Sequence, residues 1–304
     1  LKIIYIVEPI EESGINLLRK AGYSVYVRPQ TLSIEESRSQ IDFQQVVGMI
    51  IRASDLTASE LSLFKNLAII SRHGVGVDNL PLDTIKKRNI CLTYTPGLNA
   101  DSVAELTLLL VLNLLRKIPV NKVSSTFPVG SSLENKKVGL IGYGNIAQKF
   151  SSYLTPFNNK LLVYNHRPKK LSYGKQVSLT YLLAESDIVS LHIPSNKDTR
   201  GLIGEKELKG MKKTAFLINT ARGSIVDSDA LYEALINKKI AGAAVDVLDV
   251  GQRHVLNDFI KLDNFIATPH IGANTNETLK LSSLRCAKEI LLFFNGQKPI
   301  KPYL

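Results

Sequence analysis

The 304-residue chain has little of what would staple, anchor or thread a protein through a bilayer. Its two cysteines, Cys91 and Cys286, show no CxxC or zinc-like spacing. Disulfide scaffolds and structural zinc are therefore not expected, and a reducing, cytoplasmic setting fits. The longest apolar run, Leu106 to Leu115, is interrupted by Thr107 and Asn113 and falls short of the roughly 20 residues a spanning helix needs. No membrane partner is expected. The opening LKIIYIVEPIEES meets acid at Glu8, lacks a small-residue cleavage pattern and reads as a first buried strand. There is no GxSxG elbow, no HExxH, no clustered His/Cys/Asp set and no GxxxxGK[ST]. Serine hydrolases, catalytic metals and P-loop nucleotide sites lose their sequence basis. Repeats and low-complexity segments are absent too. What remains is 44% hydrophobic and 21% charged, a globular composition long enough for about two domains.

Charge is the unusual quantity. Lys+Arg 38 against Asp+Glu 27 gives +11. The basic residues come in scattered groups, such as Lys86-Lys87-Arg88, Lys169-Lys170 and Lys238-Lys239. A nucleic-acid face would show a dense stripe or a known module. The pattern instead predicts a solvated basic surface that attracts small anions.

Short apolar runs at 2–7, 24–28, 47–52, 67–71 and 91–94 alternate with helical spacing, as over 10–21 before Gly22. Ser33-x-x-Glu36 and Thr57-x-x-Glu60 read as capping boxes that open helices. Strands alternating with helices predict parallel pairing. After the break at Thr95-Pro96-Gly97, Ser102 is placed to cap a long helix with Leu106, Leu109, Leu110 and Leu114 on its apolar face. A second alternation follows, with strands at 137–141, 160–164, 187–191, 215–218, 241–246 and 264–267, and a last helix over 276–294 that ends at Gly296.

The strongest chemical signal is Gly142-Tyr143-Gly144-Asn145-Ile146-Ala147, a GxGxxA between an apolar strand and a helical pattern. Gly142 suits a tight turn, Gly144 a close approach of pyrophosphate to backbone, and Ala147 close helix–strand packing. Helix N–H groups from Asn145 onward would face the phosphates. The next strand ends at Asn165, where a dinucleotide site usually carries an acid for the ribose hydroxyls. Here the sequence is Asn165-His166-Arg167-Pro168-Lys169-Lys170. With no carboxylate to repel a 2′-phosphate and a guanidinium beside the gap, NADP is favoured over NAD. Arg222, after the strand run LINTA, would face the crevice at the strand ends. His270, in ATPHIG, is an acid/base candidate; His192, in LHIP, is its rival. His73 precedes a glycine-rich loop in which Val75 and Gly76 offer backbone N–H groups to an anion.

Taken in order, HGVGVDN (73–79), TPGLNADSVAELTL (95–108), VGLIGYGNIAQ (138–148), DIVSLHIPSNKDTRGLIG (187–204), LINTARGSIVDSDAL (217–231), AGAAVDV (241–247) and TPHIGANT (268–275) resemble the D-isomer-specific 2-hydroxyacid dehydrogenase family over nearly the whole chain. The resemblance implies an α/β protein of two Rossmann-like domains with a cleft between them. Residues 1–98 with 276–304 would form a flavodoxin-like substrate domain and 99–275 an NAD(P)-binding Rossmann domain. It implies hydride transfer between NAD(P)H and C2 of a small 2-oxo or 2-hydroxy acid, of glyoxylate/hydroxypyruvate or 3-phosphoglycerate type. The chain stops soon after the last helix, so no added regulatory domain is expected.

By motif position, Arg222 would hold the substrate carboxylate and His270 would act as acid/base, with the Val75–Gly76 loop adding backbone amides. Asp246 would orient the nicotinamide. Asn145, Ile146, His192, Thr199, Thr220, Ala221 and Gly272 would line the cofactor, together with Gly142, Gly144, Asn165, His166 and Arg167. A homodimer is implied, with residues about 118–135 as an intersubunit arm. The sequence departs from the family where relatives carry a glutamate five residues after the aspartate of AVDV: this chain has Gly251. That departure leaves an alternative, a binding protein of dehydrogenase fold that senses nicotinamide cofactor with weak or no catalysis.

Overall fold

The computed structural model describes residues 2–118, 129–249 and 257–304. Gly251, and most of the 118–135 segment expected to form an arm, lie outside the described residues. The chain divides into two compact units, Leu1–Asn99 with Asn274–Leu304, and Ala100–Ala273.

The first unit holds β1 (Ile3–Ile6), α1 (Glu12–Lys20), β2 (Ser24–Val27), β3 (Val46–Ile51), α2 (Ala58–Ser62), β4 (Ile69–Arg72), α3 (Leu82–Lys87), β5 (Cys91–Thr93) and the last helix, Asn276–Phe294. All strand pairs are parallel, in the order β2-β1-β3-β4-β5, which is the flavodoxin-like arrangement. A parallel sheet is covered on both faces, so its inner strands read as continuous apolar runs. Ile4, Tyr5 and Ile6 of β1 are fully buried. One face packs on Phe43 and Phe64, stacked at 4.4 Å between ring centroids. The other packs on Ile15 and Leu18 of α1 and on Cys286, Ala287 and Ile290 of the last helix. Complete burial of an Ile or Leu side chain is worth roughly 1.5–3 kcal/mol. The two helices meet at Gly14, where a Cβ would collide with Ser283.

The second unit holds α4 (Ala100–Arg116), β6 (Lys137–Ile141), α5 (Asn145–Leu154), β7 (Lys160–Tyr164), β8 (Lys175–Gln176), α6 (Leu179–Glu185), β9 (Ile188–Leu191), α7 (Glu205–Lys209), β10 (Phe216–Asn219), α8 (Ser228–Ile236), β11 (Gly242–Val245) and β12 (Phe265–Ala267). The sheet order is β12-β11-β10-β9-β6-β7-β8, parallel throughout. Counted within the unit, this is the Rossmann order 3-2-1-4-5-6 with one strand added. Connections leave β6 towards β7 on one side, and the chain then returns to lay β9 on the other.

Three local expectations differ from the structure. The Ser33–Glu36 box forms both of its bonds, Glu36 N to Ser33 Oγ at 3.1 Å and Ser33 N to Glu36 Oε2 at 2.7 Å. It opens only a 3-10 turn over Glu36–Ser39, because the chain must reach the second 3-10 turn at Phe43–Gln45 and then β3. Ser102 is inside α4 rather than its cap, since the helix already starts at Ala100 and Ser102 is buried. The buried stripe of α4 is Val103, Ala104, Thr107, Leu110, Val111, Leu114 and Leu115. Leu109 falls off that stripe and is 57% exposed.

Candidate active site

Because every strand of the second unit runs the same way, its carboxyl ends share one edge. That edge receives Gly142 from β6, Asn165 from β7, His192 from β9, Thr220 to Arg222 from β10, Asp246 from β11 and Thr268 to His270 from β12. Ligands of open α/β sheets bind outside such ends, where the strand order reverses, which here is between β6 and β9.

Gly142 adopts φ +95°, and a Cβ there would lie 2.5 Å from the His192 carbonyl oxygen. The glycine therefore lets β6 and β9 leave the sheet side by side. Gly144 caps α5 with no side-chain bond, and a Cβ there would meet nothing within 4 Å. The first helical bond to this residue is Gln148 N to Gly144 O at 2.9 Å. The N–H groups of Asn145 and Ile146 thus belong to the unsatisfied first turn and carry the positive end of the dipole. Asn145 is exposed, Ile146 half-buried, and Ala147 fully buried against the sheet. Open space over Gly144 and free helix amides fit a pyrophosphate.

After β7, Asn165 is half-buried while His166 and Arg167 are exposed. The Asn165 side-chain amide donates to Arg167 O at 2.7 Å. Among the described residues no carboxylate pairs with Arg167 or Lys169.

His192 bonds Ser190 Oγ through Nε2 at 2.9 Å and lies beside Phe150, with ring centroids 5.8 Å apart. Burial pushes its imidazole down to about 3, so it is neutral near pH 7 and poorly suited to donating a proton there. Thr199 builds its own turn, donating to Pro194 O at 2.7 Å and accepting from Asn196 N at 2.8 Å. Thr220 is buried with its hydroxyl 3.0 Å from that of Thr107 on α4.

Asn219 is a residue the sequence reading passed over. It is 1% exposed; its side chain accepts from Ala221 N at 3.1 Å and donates to Arg222 O at 2.9 Å. This folds the turn from which Arg222 emerges. An Asn at a strand end followed by a small residue was its only signal. Arg222 is half-buried and donates to Ala221 O at 2.7 Å. Gly223 has no room for a Cβ, which would lie 2.5 Å from Asp249 N, so the exits of β10 and β11 also run together.

Asp246 is 2% exposed. Its Oδ1 accepts from Thr268 Oγ1 at 2.6 Å and Ile271 N at 2.8 Å, and its Oδ2 from Gly272 N at 2.8 Å. Its own carbonyl accepts from His270 N at 2.8 Å. The carboxylate is thus spent on shaping the 268–272 loop. His270, exposed and at φ +56°, projects from the middle of that loop.

In the first unit, Val75 and Gly76 follow β4. Arg72 braces this loop from beneath, donating Nε to Gly76 O at 2.6 Å, and Val75 is 38% exposed. His73 is buried, and its Nε2 finds no hydrogen-bond partner. Burial, then the nearby Arg52 charge, pushes its imidazole down to about 4. Among the described residues, no cluster of His, Cys, Asp and Glu could hold a metal, and no helix is long and apolar enough to cross a membrane.

The family model for the D-isomer specific 2-hydroxyacid dehydrogenase NAD binding domain matches residues 111–272. The chain is 33% identical over 305 residues to the D-3-phosphoglycerate dehydrogenase of Archaeoglobus fulgidus, covering 96% of this chain but 57% of that protein. It is 33% identical over 298 residues to the hydroxypyruvate reductase of Thermotoga maritima, covering 94% of this chain and 96% of the relative. A solved acyclic imino acid reductase in complex with NADPH and D-Arg superposes with a TM-score of 0.86 at 28% identity, covering 100% of both chains.

Proposed function

The chain belongs to the D-isomer-specific 2-hydroxyacid dehydrogenase family of NAD(P)-dependent oxidoreductases, and from that premise we propose that it reduces a short 2-oxo acid to the 2-hydroxy acid with NADPH. The observation that carries the reading is the shared sheet edge: the open first turn of α5, Arg222 and His270 all leave the carboxyl ends of one parallel sheet. Bound nicotinamide supplies the hydride that reaches C2. Arg222 takes the substrate carboxylate with its planar fork and so fixes the carbonyl. His270 gives its proton to the carbonyl oxygen as the hydroxyl forms. Asp246 sets the loop that carries His270 and Gly272, and so would orient a bound nicotinamide.

NADPH is preferred because Arg167 and Lys169 stand where no carboxylate opposes a 2′-phosphate. Glyoxylate and hydroxypyruvate are favoured substrates, in line with the hydroxypyruvate reductase that matches over 96% of its length. Steady-state kinetics with glyoxylate, hydroxypyruvate and phosphohydroxypyruvate, each with NADPH and NADH, test the reading. Turnover highest with NADPH and either short acid supports it; no turnover above background with any pair removes it. The resemblance favours a second reading, cofactor sensing without efficient catalysis: by motif position it implies a glutamate where this chain has Gly251. Cofactor binding without turnover would select it. We read the protein as a cytoplasmic homodimer; light scattering tests the dimer.

A further inference from the structure

We propose that Gln176 is a positioning residue for cofactor choice: it holds the Asn165–Lys169 loop in the shape that offers Arg167 and Lys169 to a 2′-phosphate. The inference rests on the NADPH reading above. β8 is only two residues long and pairs on one side, with β7. Both of its side chains are exposed, so Gln176 has no packing role in the core. Yet its amide makes three bonds to the backbone of the loop that leads into β8. Nε2 donates to Asn165 O at 2.9 Å and to Arg167 O at 3.2 Å, and Oε1 accepts from Lys169 N at 3.0 Å. Only a carboxamide side chain supplies two donors and an acceptor together without charge. Asn165 closes the same turn from the other side through its bond to Arg167 O.

The far end of the loop is tied as well. Tyr143, from the Gly142–Gly144 turn, places its hydroxyl 2.9 Å from Ser172 Oγ. Tyr173 donates to Ser151 O on α5 at 3.0 Å. An exposed basic loop that was free would have to be ordered at each binding event, at a cost in affinity. Here the backbone is bound in advance while the Arg167 and Lys169 side chains stay exposed. Gln176 therefore acts on the phosphate through the loop.

The test is equilibrium binding, by calorimetry, of adenosine 2′,5′-bisphosphate and of 5′-AMP to wild type, Gln176→Met and Lys175→Ala. Methionine keeps the length and removes all three bonds. Lys175→Ala disturbs the same strand, where the ammonium lies 5.1 Å from the Tyr181 ring centre, but leaves the loop bonds intact. Wild type and Lys175→Ala should both favour the bisphosphate. Gln176→Met should bind it about tenfold more weakly, hold 5′-AMP within about twofold, and unfold at the wild-type temperature. A Gln176→Met protein that discriminates as wild type does overturns the inference and leaves the NADPH reading standing. Equal weakening of both nucleotides overturns it too, as a merely structural role. Wild type that binds the two nucleotides equally overturns the NADPH reading and the inference together.

Discussion

The carbonyl oxygen of His192 occupies the place beside Gly142 where any larger residue would need its Cβ, at 2.5 Å. The neighbouring glycine of the same turn, Gly144, faces open space. Two glycines two residues apart thus answer to different demands, one to the protein and one to a ligand. Gly142→Ala should destabilise the fold by about 1–3 kcal/mol, because φ is +95° and a backbone oxygen cannot rotate away. Gly144→Ala should leave the thermal midpoint within a degree or so and weaken NADPH binding by at least about tenfold. Calorimetric melting and NADPH titration of the pair check both; a Gly144→Ala protein that binds normally would mean that the pyrophosphate lies elsewhere.

Asn165→Asp should move preference towards NADH. The new carboxylate repels a 2′-phosphate, and it can no longer donate to Arg167 O, the bond of 2.7 Å that shapes the loop. The ratio of kcat/KM for NADPH to that for NADH should fall by about tenfold or more, since like charges a few ångströms apart near a protein surface repel by up to about 4 kcal/mol. An unchanged ratio would show that the loop does not meet the 2′ position.

Arg222→Lys keeps the charge but loses the planar fork. The drop in kcat/KM is expected to be on the order of 10²-fold, the scale of a misplaced substrate. Near-normal kinetics would mean that a group other than Arg222 holds the substrate carboxylate.

Asp246→Asn should lower kcat more than it raises the KM for the 2-oxo acid. One carboxylate oxygen that now accepts becomes an NH2 group facing either the Gly272 N–H or the Ile271 N–H and Thr268 hydroxyl. A buried donor left facing a donor costs about 1–3 kcal/mol, and the loop that presents His270 loosens. Kinetics together with melting at pH 7 measure both. A variant that melts lower yet keeps wild-type kcat would separate Asp246 from the positioning of His270.

Stability should fall as the solution is acidified from neutrality. His73 and His192 are held neutral in the fold down to about pH 4 and about pH 3, whereas unfolded histidines bind protons below about 6.5. In that window the unfolded chain takes up more protons, so stability is full above pH 6.5 and declines as pH drops towards the folded values. For buried His73 the slope approaches about 1.4 kcal/mol per pH unit. His73→Leu should flatten the fall in melting temperature between pH 7 and pH 5; an identical slope in the variant would locate the proton uptake elsewhere.

How much of this was readable before folding depends on how far apart in sequence the causes lie. Strands buried on both faces must be apolar throughout, so β1, β6 and β9 announce themselves, and their alternation with helices dictates parallel pairing. Parallel pairing alone then sends the segments after each strand to one edge, which is why Gly142, Arg222 and His270 could be grouped from sequence, with Asp246 added by the family resemblance. Local signals held when their partners were local: the last helix runs to Phe294 and turns at Gly296 with φ +70°. Tertiary structure decided whatever depended on distant neighbours. The Ser33–Glu36 box formed its bonds but the route to β3 allowed only a 3-10 turn. Which side of α4 is buried was set by the sheet and by α5, which left Leu109 outside. The carboxylate of Asp246 was claimed by amides more than twenty residues along the chain, and Gln176 was joined to a loop that its own sequence neighbourhood does not reveal. Hydrophobic burial and backbone geometry repeat along the chain and leave a period to be read; a hydrogen bond between remote residues leaves none.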